Sequence, residues 1–174
     1  NHEEEICGKA HRILMKKYKN LLTIIIPRHI NRVSSIKDQL IKMNLNVHLD
    51  EPKKKINPNT DVYLVNSYGK TKSFYKVCKN VFLGGSLIKH GGQNPLEAAR
   101  YGCNIMHGPN ISNFKEIYEF LKKKDVTNKI IDQKQLASVL SKILKRKNRS
   151  KKIIQNLHLI GVDILNKTYR DICK

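Results

Sequence analysis

The segment with the most chemical potential is Gly84-Gly85-Ser86-Leu87-Ile88-Lys89-His90-Gly91-Gly92-Gln93-Asn94-Pro95-Leu96-Glu97. Four of the nine residues from 84 to 92 are glycine. Glycine lets backbone N–H groups approach an anion closely, and a helix N-terminus adds partial positive charge. Asn94 suits a helix N-cap and Pro95 the first helical position. Glu97 then falls three residues after the cap, which alone describes an ordinary capping box. The glycine pairs directly follow a buried strand, and packing explains them less well than an anion or sugar site does. The spacing is neither G-x-G-x-x-G nor a Walker loop, which disfavours NAD and ATP.

Three other loops carry candidates. Pro27-Arg28-His29 follows an apolar run, and the planar fork of Arg28 suits phosphate or carboxylate. Taken alone these are a surface arginine and a solvated histidine at a strand end. Ser67-Tyr68-Gly69 is either a plain strand-to-helix turn or a backbone contact to a nucleobase or ribose. In His107-Gly108-Pro109-Asn110-Ile111-Ser112-Asn113-Phe114, Ser112 or Asn113 reads as a helix N-cap, with ligand contact by Asn113 as the other possibility.

The elements that must position these loops alternate. Residues 3–19 read as a helix, with Glu3, Glu4 and Glu5 in the first turn and Lys16, Lys17 and Lys19 in the last. Residues 21–26 form a continuous apolar run stopped by Pro27, as expected of a strand buried on both faces. A helix over 31–43, a strand over 44–49 and an exposed loop over 50–60 follow. Strands at 62–65, 80–83 and 103–106 alternate with helices at 71–78, 95–102 and 112–124. Ile130-Ile131 reads as an edge strand, and helices over 133–146 and 150–172 finish the chain. The expected fold class is α/β, a doubly wound parallel sheet flanked by helices. In such sheets ligands sit beyond the carboxyl ends of the strands, where all four loops fall. Residues 1–174 read as a single domain, with 150–172 packing against something outside it.

The 174 residues carry 34 Lys plus Arg against 14 Asp plus Glu, a net charge of +20. Such charge invites nucleic acid, an anionic membrane surface or an anionic substrate. Abundant Lys, Ile and Asn also fit AT-rich codon usage. With no Trp and 6% aromatic residues, base-stacking platforms are poorly supplied and nucleic acid is not expected as a partner. No stretch approaches the roughly 20 apolar residues of a membrane-spanning helix. The chain opens on Asn1 at a helix-like segment, which reads as a piece of something longer. Cys7, Cys78, Cys103 and Cys173 have no C-x-x-C spacing, and no histidines have H-x-x-x-H spacing, so no metal site is expected. Cys78 and Cys103 read as buried packing residues in a reducing setting.

Taken in order, these loops resemble the 3-deoxy-D-manno-octulosonic acid (Kdo) transferases of lipopolysaccharide biosynthesis. That family reads close to G-G-S-L-x-x-x-G-G-H-N-x-L-E, followed by G-P-x-x-x-N-F, and Phe82–Phe114 carries the match. Pro27-Arg28-His29 is similar to its P-R-H element, and Asn66-Ser67-Tyr68-Gly69-Lys70 stands at its D-T-M-G-E segment. Gln93 replaces the usual His, Asn66 the Asp and Lys70 the Glu of those motifs. Glu3-Glu4 resemble the end of a T-H-x-G-E-E element, with His2 at its Gly position.

The resemblance implies the C-terminal, Rossmann-like donor half of a GT-B glycosyltransferase. The implied reaction transfers Kdo from CMP-Kdo to a lipid A precursor, with inversion and without metal or cofactor. A glutamate general base and the acceptor site would lie in an absent N-terminal half, so no residue here is a catalytic candidate. The implied donor-binding residues are Pro27, Arg28, His29, Ser67, Tyr68, Gly69, Gly84, Gly85, Ser86, Gly91, Gly92, Gln93, Asn94 and Glu97. Arg28 and the amides around Gly91, Gly92 and Asn94 would meet the phosphate and carboxylate, Glu97 the ribose, and Ser67–Gly69 the cytosine. Lys89 is a further candidate. The full-length enzyme would work at the cytoplasmic face of the bacterial inner membrane, with the basic charge facing anionic lipid and this piece soluble. The alternatives are a GT-B donor domain for a UDP-sugar, or a basic α/β module that binds nucleic acid.

Overall fold

The computed structural model describes residues 3–51, 55–146, 149–155 and 157–158, which form two compact units. The first comprises the chain up to Ser73 together with 130–142, and the second comprises 74–129 with the segment from Ile143 onward.

In the first unit, α1 (Glu3–Met15) leads to β1 (Thr23–Ile25), α2 (Val33–Lys42), β2 (Val47–Leu49) and β3 (Val62–Leu64). The three strands form a parallel sheet in the order β1-β3-β2. Ile25 pairs with Leu64, and Val65 N donates to Ile25 O at 2.9 Å, so β1 and β3 end side by side. Apolar faces of α1 and α2 cover this sheet. Ile36, Leu40, Val62 and Leu64 are at most 1% exposed, and each such side chain contributes about 1.5–3 kcal/mol. A Cβ on Gly8 would stand 2.9 Å from both Leu40 and Met43, so glycine sets the close approach of the two helices. Glu4 clamps α1 by accepting a two-armed pair from Arg32 at 2.9 and 3.2 Å.

The second unit contains β4 (Asn80–Leu83), α4 (Leu96–Arg100), β5 (Asn104–His107), α5 (Lys115–Lys123) and β6 (Thr127–Lys129). Its sheet is also parallel, in the order β4-β5-β6, with Leu83 opposite His107. Its core gathers Leu83, Ala98, Ala99, Cys103, Ile105, Tyr118, Leu121 and Val126. The chain passes from one unit to the other within α3 (Thr71–Val77) and again within α6 (Gln133–Leu144).

The α/β class with parallel strands and flanking helices therefore holds, with the ladders divided into two three-stranded sheets. Several boundaries differ from expectation. Helix α1 ends at Met15, so the lysines at 16, 17 and 19 lie in the turn beyond it. The edge strand is Thr127–Lys129, not Ile130-Ile131. Its residues pair with β5, while Ile130 is a fully buried core residue and Ile131 is 58% exposed. Cys103 is buried, but Cys78 is only half-buried. Of the helix expected over 150–172, residues 150–155 and 157–158 are helical, and the rest lies outside the described residues. Among the described residues, no helix is long and apolar enough to cross a membrane.

Candidate functional site

The glycine loop of the second unit starts where β4 ends, and its shape follows from a few bonds. Ser86 is fully buried, and its hydroxyl donates to Leu83 O at 2.6 Å and accepts from Gly108 N at 2.8 Å. That hydroxyl ties the exit of β4 to the exit of β5. Asn110 N then donates to Ser86 O at 2.8 Å. Gly92 N donates to Gly85 O at 2.8 Å and closes the loop on itself. Gly85, Gly91 and Gly92 have φ of +69, +85 and +76, backbone that side-chain-bearing residues rarely adopt. A Cβ on Gly91 would also collide with the side chain of Asn113.

The second loop braces the first. Asn113 N donates to Gly91 O at 3.1 Å, and Asn113 Nδ2 reaches His90 O at 3.4 Å. Neither Ser112 nor Asn113 caps the following helix. The turn at Ser112–Phe114 is a short 3-10 segment without a side-chain cap, and α5 starts after it. Tyr118 on α5 donates to Gln93 O at 3.0 Å from below, and its ring packs on His107 at 4.4 Å. Burial lowers the His107 pKa, against a hydrogen bond to Gly108 O at 2.7 Å that favours the charged form. A neutral ring that donates from Nδ1 is the result.

Asn94 Oδ1 accepts from Leu96 N at 2.9 Å, but the cap position falls on Pro95, so Asn94 stands one residue before the cap rather than at it. Helix α4 begins at Leu96, one residue later than expected, and has only five residues. A helix that short adds little dipole, so anion binding here rests on individual amides. The Gly92 amide is already engaged by Gly85, which leaves Gly91, Gln93 and Asn94 as the candidate amides. Glu97 is exposed on α4, and its charge, after burial, helps push the Tyr75 phenol up to about 12. Lys89 is exposed as well.

In the first unit, Pro27-Arg28-His29 and Ser67-Tyr68-Gly69 follow the carboxyl ends of the adjacent strands β1 and β3. Pro27 is buried, while Arg28 and His29 are exposed. Tyr68 is 67% exposed, and Gly69 sits at φ +82 with open space around it. Gly69 thus caps an exposed turn.

Sequence reasoning missed what holds this turn. Asp50, after β2, is 7% exposed and accepts from Tyr63 Oη at 2.6 Å and from Lys70 Nζ at 2.5 Å. The three residues clamp the turn at both ends, and Lys70 owes its place to Asp50. Burial pushes the Asp50 carboxyl up, but the hydrogen bonds and charge of Lys70 and Tyr63 outweigh it. The net pKa lies below the ordinary 3.8. Tyr63 is pushed up to about 12, first by burial and then by its bond to Asp50. A carboxylate with a lowered folded pKa stabilises above its unfolded value and loses that contribution as pH falls through the folded one. Asp50→Asn is therefore expected to cost about 1–3 kcal/mol at pH 7. The gap between parent and variant should close as the pH is lowered below the ordinary 3.8, measured by urea unfolding. A gap independent of pH would remove the charge from this account.

Among the described residues, no group of three or more His, Cys, Asp or Glu is placed to hold a metal ion.

No protein-family model matches the chain. A 3-deoxy-D-manno-octulosonic acid transferase of Haemophilus influenzae is 33% identical over 165 residues, which is 95% of this chain and 38% of that protein. The enzyme of the same name from Aquifex aeolicus is 29% identical over 149 residues, 86% of this chain and 41% of that protein. Among solved structures, the C-terminal CMP-Kdo binding domain of WaaA from Acinetobacter baumannii matches with a TM-score of 0.80 and 25% identity. That match covers 92% of this chain and 83% of the other. The chain spans about two-fifths of the length of these two curated relatives, 38% and 41%.

Proposed function

We propose that this chain, a homologue of the Kdo transferases along 95% of its length, binds the nucleotide-sugar donor CMP-Kdo. The observation that carries the reading is its likeness, over 92% of the chain, to a CMP-Kdo binding domain. The self-closed glycine loop at the carboxyl end of β4 supports it. In the complete enzyme, Kdo passes from CMP-Kdo to a lipid A precursor with inversion at the anomeric carbon.

The donor carries a phosphodiester and a sugar carboxylate, so recognition needs two anion-directed features. Arg28 in the first unit is the proposed phosphate ligand, because its fork matches two phosphate oxygens. In the second unit the amides of Gly91, Gln93 and Asn94 are the proposed partners of the carboxylate. Glu97 accepts from the ribose hydroxyls, since a carboxylate offers two acceptor oxygens to a vicinal pair. The backbone of Ser67, Tyr68 and Gly69 reads the cytosine edge. His29 in the first unit, and Gly84 and Gly85 in the second, are further proposed donor-binding residues. Ser86 and Pro27, both buried, shape the loops without touching donor.

As the bond to the sugar breaks, negative charge grows on the departing CMP. Fixed donors aimed at that charge stabilise the transition state more than the ground state. Arg28 supplies that stabilisation here, and no metal or cofactor is part of the proposal. The general base and the acceptor site belong to the remainder of the enzyme, which works at the cytoplasmic face of the inner membrane. The excess basic charge favours an anionic surface there, each Lys or Arg near it contributing about 1 kcal/mol.

The test is an assay of the full-length protein with CMP-Kdo and a lipid A precursor, with and without a metal chelator. Transfer that survives the chelator, with an inverted anomeric centre by NMR, is expected. Transfer from a UDP-sugar but not from CMP-Kdo overturns the reading. A chelator-sensitive rate removes the metal-independent part.

A further inference from the structure

The amino-terminal end of the second sheet holds a cavity of about 170 Å³, at the opposite end of β4 and β5 from the glycine loop. Three of its lining residues are cations: Lys79, Arg146 and Arg149. Lys79 Nζ is fixed by Tyr75 O at 3.1 Å and Tyr101 O at 2.9 Å, which leaves one ammonium N–H for another acceptor. Asn104 Nδ2 donates to Asn80 Oδ1 at 3.0 Å, which orients the Asn80 amide with its own NH2 unengaged by that bond. Arg149 is held by Asp125, and its fork has further N–H groups. Arg146 and Asn128 add to the lining, with Ile143 and Leu144 as its apolar wall, and the Arg146 guanidinium makes no hydrogen bond among the described residues.

Three cations face one carboxylate, Asp125, and that carboxylate is already paired. Two of the cations are anchored before any ligand arrives, so little side-chain entropy is lost on binding. A cavity with three cations, two of them held in place, and one carboxylate that is already paired favours a small, multiply charged oxyanion, whose oxygens take several charge-assisted hydrogen bonds. A neutral ligand leaves the excess positive charge unanswered and fits less well. We infer that this cavity is a second ligand site of the chain, one that takes a phosphate monoester. It uses none of the residues proposed for the donor and stands whether or not that reading holds.

The test is a titration of inorganic phosphate into the isotope-labelled chain at constant ionic strength, with chloride as the balancing salt. Side-chain amide resonances of Asn80, Asn104 and Asn128 are expected to shift and saturate. Arg146 is exposed, so Arg146→Gln leaves the fold intact, and it is expected to weaken binding about tenfold. The absence of saturable shifts, an equal response to chloride, or unchanged affinity in R146Q overturns the proposal. A second arm names the source of the phosphoryl group. Recruitment to phosphatidic acid vesicles that free phosphate reverses identifies a lipid headgroup. Saturation by phosphate without recruitment identifies a free phosphorylated molecule.

Discussion

Gly108→Ala is expected to be strongly destabilising. A Cβ there would collide with the Ser86 carbonyl and stand 2.5 Å from the Leu87 nitrogen. These are backbone atoms, so no side chain can rotate away. The contact lies at the junction where Ser86 Oγ ties β4 to β5. Overpacking typically costs about 1–3 kcal/mol, and the rigid neighbours place this site at about 3 kcal/mol or more. For a domain of this size that corresponds to a fall in Tm of about 10 °C. Gly69→Ala is the matched control: its φ of +82 is unfavourable, but nothing lies within 4 Å. It is expected to cost only about 1 kcal/mol. Thermal unfolding of the two variants separates steric from conformational need. Equal losses would mean that the Ser86–Gly108 junction does not hold the loop.

Arg28→Gln is expected to do the reverse, leaving stability within about 0.5 kcal/mol because the side chain is exposed. CMP binding should weaken about 10- to 100-fold, the equivalent of one charge-assisted contact of about 1.5–3 kcal/mol. Arg28→Lys keeps the charge but loses the planar fork, so it should recover only part of that loss. Calorimetric titration of CMP reads all three proteins. Parent-like affinity in R28Q would remove Arg28 from the proposed site.

The apolar runs made much of this fold legible. Residues 21–26 and 62–65 are nearly continuous Leu, Ile and Val, and the strands lie within them. Thr127–Lys129 carries no such signal, because an edge strand is chosen by its pairing with β5 rather than by its own pattern. The neighbouring Ile130-Ile131 looked more like a strand and instead supplies a core residue at 130. Helix α4 was visible from Asn94 and Pro95, but not its five-residue length.

The candidate site was legible in its glycines and not in its braces. Gly91 and Gly92 announce a tight loop, yet the need for glycine at 91 comes from Asn113, which lies 22 positions further on. The Gly108-Pro109-x-x-x-Asn113-Phe114 spacing was the available signal for that contact. Lys70 read as a departure from a family motif, and only the fold puts Asp50 beside it at 2.5 Å. A buried carboxylate with two donors rarely leaves a local trace, since its partners are 13 and 20 residues away.

Donor recognition by this chain is tested by a comparative NMR titration of the isotope-labelled protein with CMP and UMP at moderate salt. Saturable shifts selective for CMP are expected at Arg28, at Tyr68–Gly69 and across Gly91–Glu97. Tighter binding of UMP, or no nucleotide-dependent shift at those residues, would contradict it.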